Sequence, residues 1–182
     1  MNISSINSGQ GIYQTFANKI SRAGNKDAEA STIRKSLLPD VFPLRDRQIN
    51  LIKKTSGDDK AAERLLRDYS KPESGGILVS VSGMPDLKNT EAVRRFQRIN
   101  QLFEQENKQV ESLKSDIISQ GKNEGKKAQD ILYDLVKMYD SQSELFKLGR
   151  GWEGDLFSFN NSSAEGWSKT LQYTPDVIDT KV

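Results

Sequence analysis

TEAVRRFQRINQLFEQENKQVESLKSDIIS, residues 90–119, decides the fold class of this chain. Within it Phe96, Ile99, Phe103, Glu106, Val110, Leu113 and Ile117 follow one another at alternating steps of three and four. That is the spacing of a heptad seam, the stripe one α-helix buries against another. Glu106 is its one polar member, expected to drift towards solvent. Thr90 is placed to cap the helix, and Glu91 sets a negative charge in the first turn, where the helix dipole favours it. The spacing predicts a helix over about 91–119, roughly 43 Å long at 1.5 Å per residue.

Downstream, SQGKNEGKK interrupts the pattern with two glycines. A second apolar series follows, with Ala128, Ile131, Leu132, Leu135, Met138, Tyr139, Leu145 and Phe146. It predicts a second helix over about 125–148. A short connection between two long amphipathic helices makes an antiparallel helical hairpin, spanning 90–148.

Upstream, residues 19–71 read as short helices. Ile12, Phe16 and Ile20, at spacing four, mark a short amphipathic helix leading into this region, and DAEASTIRKSLLPD has acids first and Arg34/Lys35 late, the order the dipole favours. Leu44, Ile49 and Ile52 mark the next helix, ending near Gly57. DDKAAERLLRDYSKP has Asp58 as N-cap, Leu65, Leu66 and Tyr69 as its apolar face, and Pro72 beyond its end. Residues 72–89 read as an extended linker. Its alternating, β-branched ILVSVS, residues 77–82, is one short strand candidate that either pairs with LFSF near the C-terminus or packs on helices. Residues 149–182 read as an irregular, Gly/Ser/Asn-rich aromatic tail packed back on the helices, since exposing its rings would forfeit about 1.5–3 kcal/mol each. The expected fold is therefore mainly α, a single helical domain over residues 19–182 behind a flexible leader of residues 1–18.

Composition narrows the chemistry. The 182 residues contain no cysteine and no histidine. That excludes thiolate nucleophiles, zinc–thiolate and iron–sulfur sites, Ser-His-Asp triads and His-based metal sites. It also removes the side chain best matched to proton transfer near neutral pH. Net charge is only +2, which argues against nucleic acid as a partner. Residues 1–71 carry 13 basic and 8 acidic side chains, residues 152–182 carry 2 and 5, so front and tail are expected to attract one another within the fold. No run of residues is long and apolar enough to cross a membrane. SGGILVSVSG lacks the spacing of a phosphate-binding loop. Asp130 and Asp134 lie one turn apart beside Tyr133, but Lys126 and Lys127 precede them and solvated pairing is expected. No catalytic, cofactor-binding or metal-binding residue is assigned.

The first 18 residues, MNISSINSGQGIYQTFAN, carry no charge. They lack the basic end, apolar run and cleavage site of a secretory signal peptide. In composition, uncharged and rich in Ser, Asn and Ile, the leader resembles the N-terminal export signals of bacterial type III secretion substrates. The resemblance covers the leader alone. It implies a bacterial protein held in the cytoplasm before export and then secreted, effector-like and associated with virulence.

Seven side chains are candidates for binding a protein partner. Arg94, Arg95 and Arg98 cluster on the first turns of the long helix, with Arg95 and Arg98 expected opposite the seam and Glu91 within ion-pairing reach. Arg150, Trp152 and Phe157, in GRGWEGDLF, are of the types enriched in interface hot spots, as is Trp167. The bland alternative for Trp152 is a cap on the hairpin core. A homo-oligomer through the 96–117 seam is the second expected mode of association. The function expected is a non-enzymatic protein–protein interaction protein; a cytoplasmic helical adaptor, and an enzyme using carboxylate, Lys or Ser chemistry, are the alternatives.

Overall fold

A computed structural model describes residues 43–73, 75–161 and 164–177. The leader and the helices expected before Pro43 lie outside the described residues. Among those residues there are six α-helices: α1 Leu44–Lys54, α2 Asp59–Tyr69, α3 Thr90–Asn123, α4 Ala128–Asp140, α5 Glu144–Arg150 and α6 Ala164–Tyr173. The class is mainly α, as the periodicity predicts. Pro43, extended at φ −68° and ψ 142°, leads into α1. Asp58 caps α2 by accepting from the Ala61 N–H at 2.9 Å.

The long helix departs from its predicted form in three ways. Its cap is Asn89, not Thr90: the Asn89 side chain accepts from the Ala92 N–H at 3.0 Å, one residue earlier than expected. It also runs on through Gly121 to Asn123. Gly121 lies against α4, where a Cβ would stand 2.6 Å from Ile131 Cγ1, so this glycine serves helix approach rather than helix ending. Thirdly, the buried stripe is Ala92, Arg95, Ile99, Phe103, Val110, Lys114, Ile118 and Gly121. Leu113, assigned to the seam, is 46% exposed. A straight α-helix drifts by about 20° per heptad from a 3.5-residue repeat, and without supercoiling the stripe rotates from 113/117 to 114/118. Ile99, Phe103 and Val110 are covered by the chain itself, so the seam's centre is not open to a second copy.

α4 is the hub. It packs against α1, α2 and α3. It buries Ile131, Leu132, Leu135, Val136, Met138 and Tyr139, a wide apolar surface suited to contacts on several sides. The predicted second arm of the hairpin is broken into α4 and α5. Ser143 accounts for the break: its Oγ accepts from the Phe146 N–H at 3.0 Å, capping a new helix, and donates to Glu106 Oε2 on α3. Glu106 is thus half-buried at the break. α5 then lies back on α3, and a row of rings crosses the helices. Phe103 stacks on Phe146 at 5.7 Å, Phe146 on Tyr139 at 6.0 Å, and Tyr139 meets Trp152 at 5.1 Å.

Gly149 makes the α3–α5 approach possible. A Cβ there would lie 2.4 Å from Phe103 Cδ2 and 3.2 Å from Ile77 Cγ2. Its carbonyl also accepts from the Leu78 N–H at 2.7 Å. Residues 77–79 therefore run buried between helices instead of forming a free linker. Strand pairing with LFSF shrinks to a single parallel bridge, Val79 to Phe157. Residues 81–83 turn in one 3₁₀ turn immediately after it. The tail is not irregular throughout: α6 occupies 164–173 and buries Gly166 and Thr170. Its polar buried face, with Thr170 Oγ1 donating to the Ser158 carbonyl at 2.6 Å, has no apolar periodicity to announce it.

Gly149→Ala distinguishes this packing from an open helix. Alanine in an exposed helix gains up to about 1 kcal/mol over glycine. Here the methyl meets a fully buried ring, and overpacking of that kind costs about 1–3 kcal/mol. Urea denaturation should show Gly149→Ala less stable than the parent; a gain in stability would contradict the α3–α5 contact.

Candidate interaction surface

The structure divides the seven candidates into three groups. Arg95, Trp152 and Phe157 are buried, Arg150 and Trp167 half-buried, and only Arg94 and Arg98 are exposed. Arg95 corrects the expectation most sharply. It shares the buried side of α3 rather than the solvated face, at 4% exposure. Its guanidinium pairs with Glu91 at 2.7 Å, donates to Thr174 Oγ1 at 2.9 Å and to the Val177 carbonyl at 2.8 Å, and also binds the Thr174 carbonyl. Trp167 lies 5.9 Å away, ring to guanidinium carbon. An arginine can be buried here because its planar fork donates to four acceptors at once. It fastens the end of α6 to α3.

The GRGWEGDLF candidates are likewise internal. The Trp152 indole donates to Asp140 Oδ1 at 2.8 Å, and Arg45 donates to the same carboxylate at 2.7 and 3.0 Å. This joins the start of α1, the end of α4 and the turn after α5. Hydrogen bonding from Arg45 holds the Asp140 carboxyl below the usual carboxylate range; burial opposes this and the Trp152 bond reinforces it. Arg150 pairs with Glu73 and lies over the Phe146 ring at 5.6 Å. Phe157 meets Tyr173 edge-on at 5.8 Å. These residue types fill hot spots and cores for the same reason, their large amphipathic area, and here the core takes them.

The carboxylates of α4 are structural too. Burial pushes the Asp134 carboxyl up, but hydrogen bonds from Lys126 and Lys137 outweigh it and leave it below its ordinary value. Asp130 is exposed. Among the described residues no three His, Cys, Asp or Glu side chains group closely enough to hold a metal ion. Lys114, 2% exposed, is paired with Glu111 at 2.7 Å and donates to the Lys71 carbonyl at 3.0 Å. The sequence reading placed no charge there.

What the surface does offer was not singled out from sequence. Val81 and Leu87 are 85% exposed and Met84 is 49% exposed, three large apolar side chains within seven residues. Isolated exposed apolar residues are ordinary; three on one loop make it the candidate interaction surface of the described residues. The loop's backbone is tied down at both flanks. Gly83 N–H donates to the Ser80 carbonyl at 2.9 Å and reaches Ser80 Oγ at 3.1 Å. The Gly83 carbonyl accepts from the Phe159 N–H at 2.7 Å. Asn160 Nδ2 donates to the carbonyls of Ser82 and Met84. Asp86 closes the far side, its carbonyl accepting from the Asn89 N–H at 2.9 Å and its carboxylate from the Lys88 N–H at 3.0 Å. The backbone between the apolar side chains is held from beneath at Ser82, Gly83 and Met84. A sequence signal existed: Val81, Met84 and Leu87 sit singly among Ser, Gly, Pro and Asp, turn chemistry without a helix or strand period to bury them.

The chain matches no known protein family, no curated protein and no solved structure. Among the described residues no helix is long and apolar enough to cross a membrane.

The Asp140 junction yields a pH-dependent test. Because its folded-state pKa is depressed, its stabilisation is present above the unfolded value of about 3.9 and is lost as pH falls through the folded value. Asp140→Asn should cost about 1–2 kcal/mol at pH 7, the worth of its charge-assisted bonds. The gap from the parent should narrow as pH drops below about 4. Thermal melts across that range read it directly, and a constant gap would contradict the assignment.

Proposed function

We propose that this chain is a non-enzymatic protein–protein interaction protein, exported as an effector-like substrate of a bacterial secretion system. The observation that carries the interaction half is the anchored loop with Val81, Met84 and Leu87 turned to solvent. Exposed apolar side chains gathered on one held loop are what a partner's surface can cover. The helices behind the loop supply rigidity: Arg95, Arg150 and Asp140 each hold elements together. The absence of histidine and cysteine from all 182 residues supports the same reading, since it removes the commonest acid–base and nucleophilic side chains.

The export half rests on the uncharged leader, residues 1–18. Its likeness in composition to type III secretion signals is the support for it. In that reading the protein waits in the bacterial cytoplasm and acts after export, by occupying a surface of another protein.

A reporter fused behind residues 1–19 tests the export half. In bacteria with a working type III apparatus the fusion should reach the medium, and in a strain lacking the apparatus ATPase it should stay inside. Equal retention in both strains, with the full chain also retained, would overturn it.

A further inference from the structure

Buried oxygens gather around Glu73 in greater number than the described residues pair. Asn107 and Glu111 stand one turn apart on one face of α3, and both reach the backbone of Glu73. Asn107 Nδ2 donates to the Glu73 carbonyl at 3.4 Å, and Glu111 Oε2 accepts from the Glu73 N–H at 3.4 Å. The other oxygen of each end group, Asn107 Oδ1 and Glu111 Oε1, is buried with no hydrogen-bond partner among the described residues. Tyr139 OH, on α4, is in the same condition; a fourth such oxygen, Gln48 Oε1, is on α1.

Tyr139 belongs to the same place as the α3 pair. α3 runs antiparallel to α4 and α5, with Gly121 against Ile131, Glu106 at Ser143 and Phe103 on Phe146. Between those fixed points residue 139 falls opposite residues 110–111. The electrostatics agree. Burial pushes the Tyr139 hydroxyl above its ordinary value, Glu73 reinforces this, Arg150 opposes it and Glu111 reinforces it again. The hydroxyl therefore keeps its proton at neutral pH and is a hydrogen-bond donor.

One donor faces two acceptors. A direct bond from Tyr139 to either oxygen would leave the other buried and unpaired, a costly state. Water has the complementary set, two protons to give and lone pairs to accept with, and buried waters make about three hydrogen bonds. We propose that Tyr139, Asn107 and Glu111 form a binding site for one internal water molecule, which accepts from the Tyr139 O–H and donates to Asn107 Oδ1 and Glu111 Oε1. A metal cation suits the three oxygens less well. Lys114 already stands 2.7 Å from Glu111 Oε2 and Arg150 is paired with Glu73, so the positive charge is supplied by the chain. The water joins α3 to α4 beside Glu73, just ahead of the buried run at residues 77–79. It does not rest on the interaction reading.

Oxygen-17 relaxation dispersion of the full chain tests this, since it counts waters held for longer than the protein takes to tumble. At neutral pH the parent should hold one more such water than Tyr139→Phe and Asn107→Leu do. Tyr139→Phe removes a single oxygen and leaves the ring stacked, so circular dichroism should show it folded. Urea denaturation should place its folding constant about tenfold below the parent's, because the water has lost its donor. An unpaired hydroxyl would instead be removed with no loss or with a gain in stability. Equal water counts in the parent and both variants, or a Tyr139→Phe chain as stable as the parent, overturns the proposal. So does a parent chain markedly more stable in potassium or sodium chloride than in choline chloride of equal ionic strength, with Tyr139→Phe indifferent to the exchange, which would make the occupant a cation.

Discussion

Everything presented at the surface depends on the contact between Gly149 and the ring of Phe103. A side chain at 149 would push α5 away from α3, since its Cβ would lie 2.4 Å from the ring. With the two helices in contact, the Gly149 carbonyl stands where the Leu78 N–H reaches it at 2.7 Å. That bond fixes residues 77–79 in the core, with Ile77 and Val79 buried. The bridge from Val79 to Phe157 then places the tail, and the Phe159 N–H takes up the Gly83 carbonyl. A helix contact deep in the core is thus transmitted through a run of backbone hydrogen bonds to the loop that carries Val81, Met84 and Leu87.

Charge plays a consistent part in this architecture. Arg45, Arg95, Arg150 and Lys114 each connect segments far apart in sequence. Three are arginines, whose several donors can satisfy carbonyls and carboxylates at the ends of elements where regular hydrogen bonding stops. Such pairs add less stability than apolar packing would, because desolvation offsets much of their attraction. Their contribution lies in geometry: each accepts one arrangement of its partners. A lean hydrophobic fraction of 35% is compatible with a defined fold on these terms.

The helices were legible wherever their apolar residues recur at helical spacing. α3 and α4 follow from apolar residues at steps of three and four, α1 from Leu44, Ile49 and Ile52, and α2 from Leu65, Leu66 and Tyr69 behind its Asp58 cap. α6 was not legible, because its buried face is Gly166, Thr170 and the following Thr174, held by hydrogen bonds to Ser158 and Arg95 rather than by apolar area. The break between α4 and α5 was hidden for a different reason: its cap is local, Ser143 Oγ accepting from the Phe146 N–H, but the apolar series runs on through Leu145 and Phe146 as if one helix continued. Among the binding candidates, residue type alone could not separate a hot spot from a core. Trp152 and Phe157 have the chemistry of both, and the deciding facts, the Asp140 acceptor and the Tyr173 ring, are tertiary. The loop escaped notice because exposure has no period.

The account's central claim is that the segment from Ile77 to Leu87 is held by the core and not a free linker. Residue-resolved amide hydrogen exchange of the full chain measures it most directly, at the N–H groups of Leu78, Gly83 and Phe159. The account predicts slow exchange at all three, with Leu78 protected to the degree of the α3 interior and Gly149→Ala accelerating Leu78 and Phe159 together. Exchange at the rate of an unstructured chain across these amides, beside a protected α3, would contradict it.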